Sequence, residues 1–443
     1  MKIEVIPIVS LVLCLGLMAG CGKKQQHVFS SLKKTATATQ LKSFLSEKEA
    51  QANAAAKANG QTMPPELQTY FDAANRGDWL AVSIQFNNFM RNAGQGSGKT
   101  NLQVLGTTWD AMVRETWGAI EAFSVGDEKY ATAFGRDIIA SIPPGSIYFG
   151  GTEPGRFLIT AMQKDQVAGD PFFTLTQNAL AAGDYLDYLR SMYGDKIYIP
   201  TAEDSQKAFQ DYTEDAERRM QNQQLKPGEN VRKDPNGRVQ VSGQVAVMEV
   251  NGLLAKDIFD KNTNQEFYVE ESLPLDWMYP YLEPHGLIFK LNRQPLPELS
   301  DEMVQRDHDY WAKLMAPMIG KWLDGGTPLA DVINYDEKVF ARHDLTGFKG
   351  DSRFVRNDYC CRTYCWERSN IADLYVWRMN HATTADEKER MAREAGFAFR
   401  QALALYPSVQ GNLPRYRDFL KSQNRDSDIL LLNKMAGQFS RMW

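Results

Sequence analysis

Between residues 147 and 223 the chain alternates three times between a short apolar run and a longer stretch of helical spacing. Ile147-Tyr148-Phe149 follows Pro143-Pro144-Gly145 and leads through Gly150-Gly151 into a helix from Pro154 towards Lys164. Phe172-Phe173-Thr174-Leu175-Thr176 precedes a helix across Tyr185 to Met192, and Ile197-Tyr198-Ile199 precedes one from Ser205 to Gln223. Strands separated by helices need crossover connections, which favour a parallel sheet covered by helices. Beyond the polar stretch Gln224 to Gly237, the segment Val245 to Phe259 reads as a buried helix. Glu266 to Val269 and Leu287 to Leu291 read as two further strands. The expected fold is α/β, a parallel sheet with crossover helices, flanked by α-helical segments.

The flanks carry the helical period. Leu67, Tyr70, Phe71 and Ala74, then Val82, Phe86 and Phe89, mark a helix pair broken at Arg76-Gly77-Asp78. Helical spacing resumes over Thr108 to Ala122 and Tyr130 to Ala140, and from Ser300 onward it dominates. The stretch from Phe397 to Pro407, ending at that proline, resembles the second helix of a tetratricopeptide repeat. Tyr416 to Gln423 with Ser427 to Met435 resembles the next helix pair. Such repeats bury their faces only by stacking, so this tail is expected to pack on the helices before it.

Residues 1–21 read MKIEVIPIVSLVLCLGLMAGC: a head carrying Lys2, an apolar run from Val5 to Met18, then small residues. That order is a secretory signal. Met18-Ala19-Gly20-Cys21 resembles a bacterial lipobox, with Met18 where leucine is commoner and Glu4 weakening the basic head. The resemblance implies cleavage before Cys21 and acylation of its thiol, which would hold the chain to a lipid bilayer. Gly22 after the cysteine implies outer-membrane sorting in a cell that has one. Residues 21–63, rich in Lys, Gln, Ala, Thr and Ser, read as a tether that is in part helical.

With 50 Lys+Arg against 55 Asp+Glu, the net charge of −5 argues against a nucleic-acid partner that needs a basic face. Ala93-Gly94-Gln95-Gly96-Ser97-Gly98-Lys99-Thr100 has the letters of a relaxed phosphate-binding loop, but no strand precedes it and no clear helix follows. Without that context the backbone N–H groups are not aimed at phosphates, so no nucleotide and no cofactor is expected. Cys360, Cys361 and Cys365 lie in an aromatic stretch and suit packing. Cys361 and Cys365 are also spaced for a disulfide, while a metal cluster would want a fourth ligand and lacks finger or ribbon spacing, so no metal is expected.

Open parallel sheets bind ligands beyond the carboxyl ends of their strands. Those ends carry Gly150, Gly151, Thr152, Glu153 and Arg156, then Gln177 and Asn178, and then Thr201, Glu203 and Asp204. Arg156 suits an anion or a sugar carboxylate, and Glu153 suits hydroxyls. The same residue types also start helices, where a Glu is favoured by the dipole. Glu270 and Glu271 end a predicted strand just before Asp276-Trp277-Met278-Tyr279-Pro280-Tyr281. Carboxylates beside aromatic rings suit a glycan, since rings stack on sugar faces and paired carboxylates do acid/base work. They also suit an ordinary packed turn.

The region from Ala133 to Pro295 contains SIPPGSIYFGGTEPGRF, PFFTLTQNALAAGDYLDYLRSMYG and EFYVEESLPLDWMYPYLEPHGLIFKLNRQPLP. It resembles the extracytoplasmic region of bacterial protein-O-mannosyltransferase-like membrane proteins. In that family a multi-span region holds the lipid-linked sugar donor. This sequence has no such region after its first 20 residues, so the resemblance implies a role near envelope glycans without the transfer chemistry.

The organisation expected from sequence is a signal peptide (1–20), a tether (21–63), a helical segment (64–140), an α/β domain (141–299) and a helical, repeat-like region (300–443). The expected function is a membrane-anchored envelope lipoprotein, a non-catalytic binding or assembly module with a protein partner and a glycan as compatible ligand. The alternative is a glycan-active enzyme using strand-end carboxylates.

Overall fold

A computed structural model of the chain describes residues 36–91, 104, 107–163, 171–270, 275–407 and 412–439. Cys21 with the signal segment, the Gly/Ser run 93–100 and Glu271 lie outside these residues. The chain is mostly helical, 67%, with a small mixed sheet of five strands and helices packed around it. No helix among the described residues is long and apolar enough to cross a membrane. The fold divides into two compact units, residues 1–124 with 144–265, and residues 125–143 with 266–443.

The first unit opens with α1 (Ala36–Ala58). Leu41, Phe44, Leu45, Lys48 and Ala52 recur at helical spacing and are all buried. Half of the segment read as a tether is therefore part of the folded body, because a short apolar stripe inside a polar, Ala-rich run is enough to dock a helix. Next come α2 (Pro65–Arg76), α3 (Trp79–Arg91) and α4 (Asp110–Ser124). Gly77, at φ 70°, ends α2 in the left-handed region where the sequence break predicts the turn. The next helix, α5 (Glu128–Ser141), belongs to the second unit.

The expected alternation then appears in part. Strand β1 (Ile147–Gly150), a π-helical turn (Pro154–Leu158) and the short α6 (Ile159–Gln163) lead to β2 (Phe173–Thr176). β1 and β2 pair in parallel, with Ile147 opposite Phe173 and Gly150 opposite Thr176. Then follow α7 (Gly183–Tyr193) and α8 (Ala202–Gln221), a hairpin of β3 (Asn230–Lys233) and β4 (Val239–Ser242), and α9 (Gln244–Lys261). α9 is the buried helix expected over 245–259.

The third expected parallel strand, Ile197-Tyr198-Ile199, joins no sheet. The side-chain amide of Asn262 stands where a neighbouring strand would: its Oδ1 accepts from the Tyr198 N–H at 2.7 Å and its Nδ2 donates to the Tyr198 carbonyl at 3.0 Å. Pro200 follows and has no N–H to extend a ladder. The segment therefore adds no strand beside β2, which is left at the edge of the sheet.

In the second unit β5 (Phe267–Glu270), β6 (Leu282–His285) and β7 (Ile288–Leu291) are antiparallel, in the order β5-β7-β6. Strand β6 is absent from the sequence reading because Pro284 lies inside it; the proline is tolerated because β6 is an edge strand. The helices are α10 (Asp301–Ile319), α11 (Leu329–Asp336), α12 (Ser352–Val355), α13 (Asp358–His381), α14 (Ala385–Leu405), α15 (Asn412–Ser422) and α16 (Asp426–Phe439). α13 and α14 pack along each other, and α13 is buried nearly all round. At its centre Arg368 and Asp307 form an ion pair with no solvent exposure on either side chain.

Candidate functional site

In the first unit the strand-end residues do converge. Arg156 sits on the π-helical turn after β1 and is 5% exposed. Its Nη1 donates to Asn178 Oδ1 at 2.6 Å, just past the end of β2, and its Nη2 donates to Glu153 Oε1 at 3.0 Å. Asn178 is held in turn by Asn251, fully buried on α9, whose Nδ2 donates to the Asn178 carbonyl and whose Oδ1 accepts from the Ala181 N–H. One polar chain therefore joins the ends of both parallel strands to α9. Asn251 escaped the sequence reading, although a lone amide beside Val250 and Leu254 was a visible signal of a buried polar network.

The glycines here serve packing. A Cβ on Gly150 would lie 2.8 Å from Arg156 Cα and 2.9 Å from the Gly155 carbonyl oxygen. The close approach expected for a ligand is occupied by the chain itself. Tyr148 donates to that same Gly155 oxygen at 2.6 Å, and Thr152 Oγ1 accepts from the Gly155 N–H at 3.0 Å. Thr152 and Glu153 thus do local work at the start of the turn, and Gly151 is buried beside them. On α4, Gly118 leaves space for the Phe157 ring, which would collide with any Cβ there.

The first unit holds a second buried polar group. Lys48 Nζ of α1 contacts Glu115 Oε2 of α4 at 2.5 Å and donates to Tyr188 Oη of α7 at 2.5 Å, while Tyr188 donates to Glu115 at 2.8 Å. Burial, then the Glu115 charge, push the Tyr188 hydroxyl well above its ordinary range, so it stays protonated as the donor. Lys48 Nζ donates to Gln51 Oε1 as well, at 3.1 Å.

In the second unit, Glu270 ends β5 with no exposure, and Glu367 of α13 is 2% exposed. Burial first, and the neighbouring Glu270 carboxylate second, push Glu367 well above the carboxylate range. Both causes favour the protonated form of Glu367. Glu367 is about a hundred residues from Glu270 in sequence and could not be paired with it by spacing. Asp276 is exposed and Trp277 half-buried, its ring edge-on to Tyr281 at 6.4 Å. Tyr279 stacks on Trp377 at 5.7 Å, and Trp377 on His381 at 4.0 Å.

Cys360, Cys361 and Cys365 are free and buried, so the disulfide allowed by spacing is not formed. Burial pushes the Cys360 and Cys365 thiols up to about 12 and Cys361 well up. Near them Asp336 is fully buried with neither carboxyl oxygen hydrogen-bonded, and burial pushes it well above the carboxylate range. Among the described residues no group of three or more His, Cys, Asp or Glu side chains is arranged to hold a metal ion. The chain matches no family model, no curated protein and no solved structure.

Proposed function

We propose that this chain is an envelope lipoprotein, anchored to a bilayer by acyl groups on Cys21, whose folded part is a non-catalytic binding or assembly module. The observation that carries the non-catalytic half is the engagement of the described strand-end carboxylates. Glu153 is ion-paired to Arg156, and Glu270 is sealed beside Glu367. A glycosidase needs two carboxyl groups open to the sugar and spaced across the scissile bond. The anchor half rests on the signal segment with its lipobox-like end. The resemblance over residues 133–295 favours a site of action beside a membrane glycosylation or export system, with a protein partner there. In this reading the tail is tetratricopeptide-like; the stacking of Phe399 on Tyr416 at 5.0 Å and its contact with Phe419 support a stacked helix pair.

Growth with a labelled fatty acid tests the anchor. Label on the parent and none on Cys21→Ala is expected, whereas an unacylated Met1 start in a soluble fraction overturns it. Envelope crosslinking tests the module, and recovery of no consistent partner counts against it. One observation favours a glycan-directed second reading: exposed Asp276 adjoins the half-buried Trp277 and Tyr281 rings. Glycan-array binding lost in Trp277→Ala would support that reading.

A further inference from the structure

The second unit holds a half-open cavity of about 510 Å³ between the carboxyl-terminal half of α10, the segment after it and α14. Its walls are apolar, including Met315, Ala316, Ile319 and Leu323, and its volume lies in the range of small-molecule sites. Lys313 and Lys321 stand on its rim, both exposed, and neither has an ion-pair partner among the described residues.

The floor carries the second observation. Gln401 lines the cavity and is 3% exposed. Its Oε1 accepts from Arg368 Nε at 2.7 Å, and Arg368 is clamped by Asp307 behind it. That bond fixes which way the amide points and polarises it, as a charge-assisted acceptor does. Among the described residues the other end, Nε2, has no hydrogen-bond partner, which leaves it as the donor of this cavity-lining amide that a ligand oxygen can engage. The α10 carbonyls nearby are already engaged: Met318 accepts from the Asp351 N–H and Ile319 from Trp322 Nε1.

We propose that this cavity binds a small amphipathic anion, its carboxylate or phosphate between Gln401 Nε2 and the two rim lysines, its apolar part against Met315, Ala316 and Ile319. The site is independent of the anchor and of the strand-end cluster.

Calorimetric titration of the full chain with octanoate, 1-octanol and inorganic phosphate tests it. Octanoate should bind one to one, with octanol and phosphate each at least about tenfold weaker. The double variant Lys313→Gln/Lys321→Gln should weaken octanoate about tenfold and leave octanol unchanged. Gln401→Glu keeps an acceptor for Arg368 but replaces the donor with a charge, and should abolish octanoate binding. Ala316→Trp fills the cavity from a half-buried helix position and should abolish it too, at an unchanged unfolding temperature. Octanoate giving no heat, octanol binding as tightly as octanoate, or Ala316→Trp titrating like the parent would each overturn the proposal.

Discussion

Replacing Lys48 by Met tests whether α1 belongs to the folded body. The change removes one partner of a buried pair whose atoms lie 2.5 Å apart, and leaves Glu115, 5% exposed, facing only the Tyr188 hydroxyl. At an effective dielectric of about 20, charges at that distance attract by roughly 7 kcal/mol before desolvation is counted. Breaking a buried pair on one side typically costs about 3–5 kcal/mol, because the remaining charge is left without compensation. The loss should appear in urea unfolding followed by circular dichroism. The double variant Lys48→Met/Glu115→Leu should recover most of the loss, since a well-packed apolar pair replaces an ionic one at little net cost. A single-variant loss under about 1 kcal/mol would refute the reasoning and return this segment to the tether.

Three further outcomes follow from the geometry. Glu367→Gln should flatten the pH dependence of stability: burial raises the Glu367 folded-state value, so the parent loses stability as pH rises through it, and the amide does not titrate. Equal pH profiles for parent and variant in thermal unfolding would contradict that. Gly150→Ala should destabilise by more than about 1 kcal/mol, because its Cβ would sit 2.8 Å from the Arg156 Cα and backbone does not move aside as a flexible side chain would; chemical denaturation reads it. The thiols of Cys360, Cys361 and Cys365 should resist a thiol reagent in the native chain and react fully in urea, being buried and held protonated.

Amphipathic helices were legible wherever the apolar period was strong. The α2–α3 break falls at Gly77 because only a residue at ease with positive φ closes that turn cheaply. Strands β1 and β2 were legible as short apolar runs between turn signals. What pairs with a strand was not. Tyr198 finds its partner in a side chain 64 residues away, and no local pattern distinguishes that from a ladder. Strand β6 hid behind a proline that only an edge tolerates. At the candidate site, the placing of Arg156, Glu153 and Asn178 just past the ends of β1 and β2 was legible, while their contact with one another was not. Their chemistry was not, since whether an arginine waits for a ligand or is engaged by an asparagine and a glutamate depends on angles the sequence does not display. Glu367 and Gln401 were invisible for a related reason: each takes its meaning from a neighbour brought in by tertiary packing.

The docking of α1 sets a leash. If Cys21 is fixed in a lipid layer, only residues 22–35 separate it from the first turn of a packed helix. Fourteen residues span at most about 50 Å. A tether running to residue 63 would allow about three times the drawn-out distance. With that anchor, the start of α1 would lie within about 50 Å of the lipid surface, and a pull on the anchor would be felt by the helix that Lys48 locks in place.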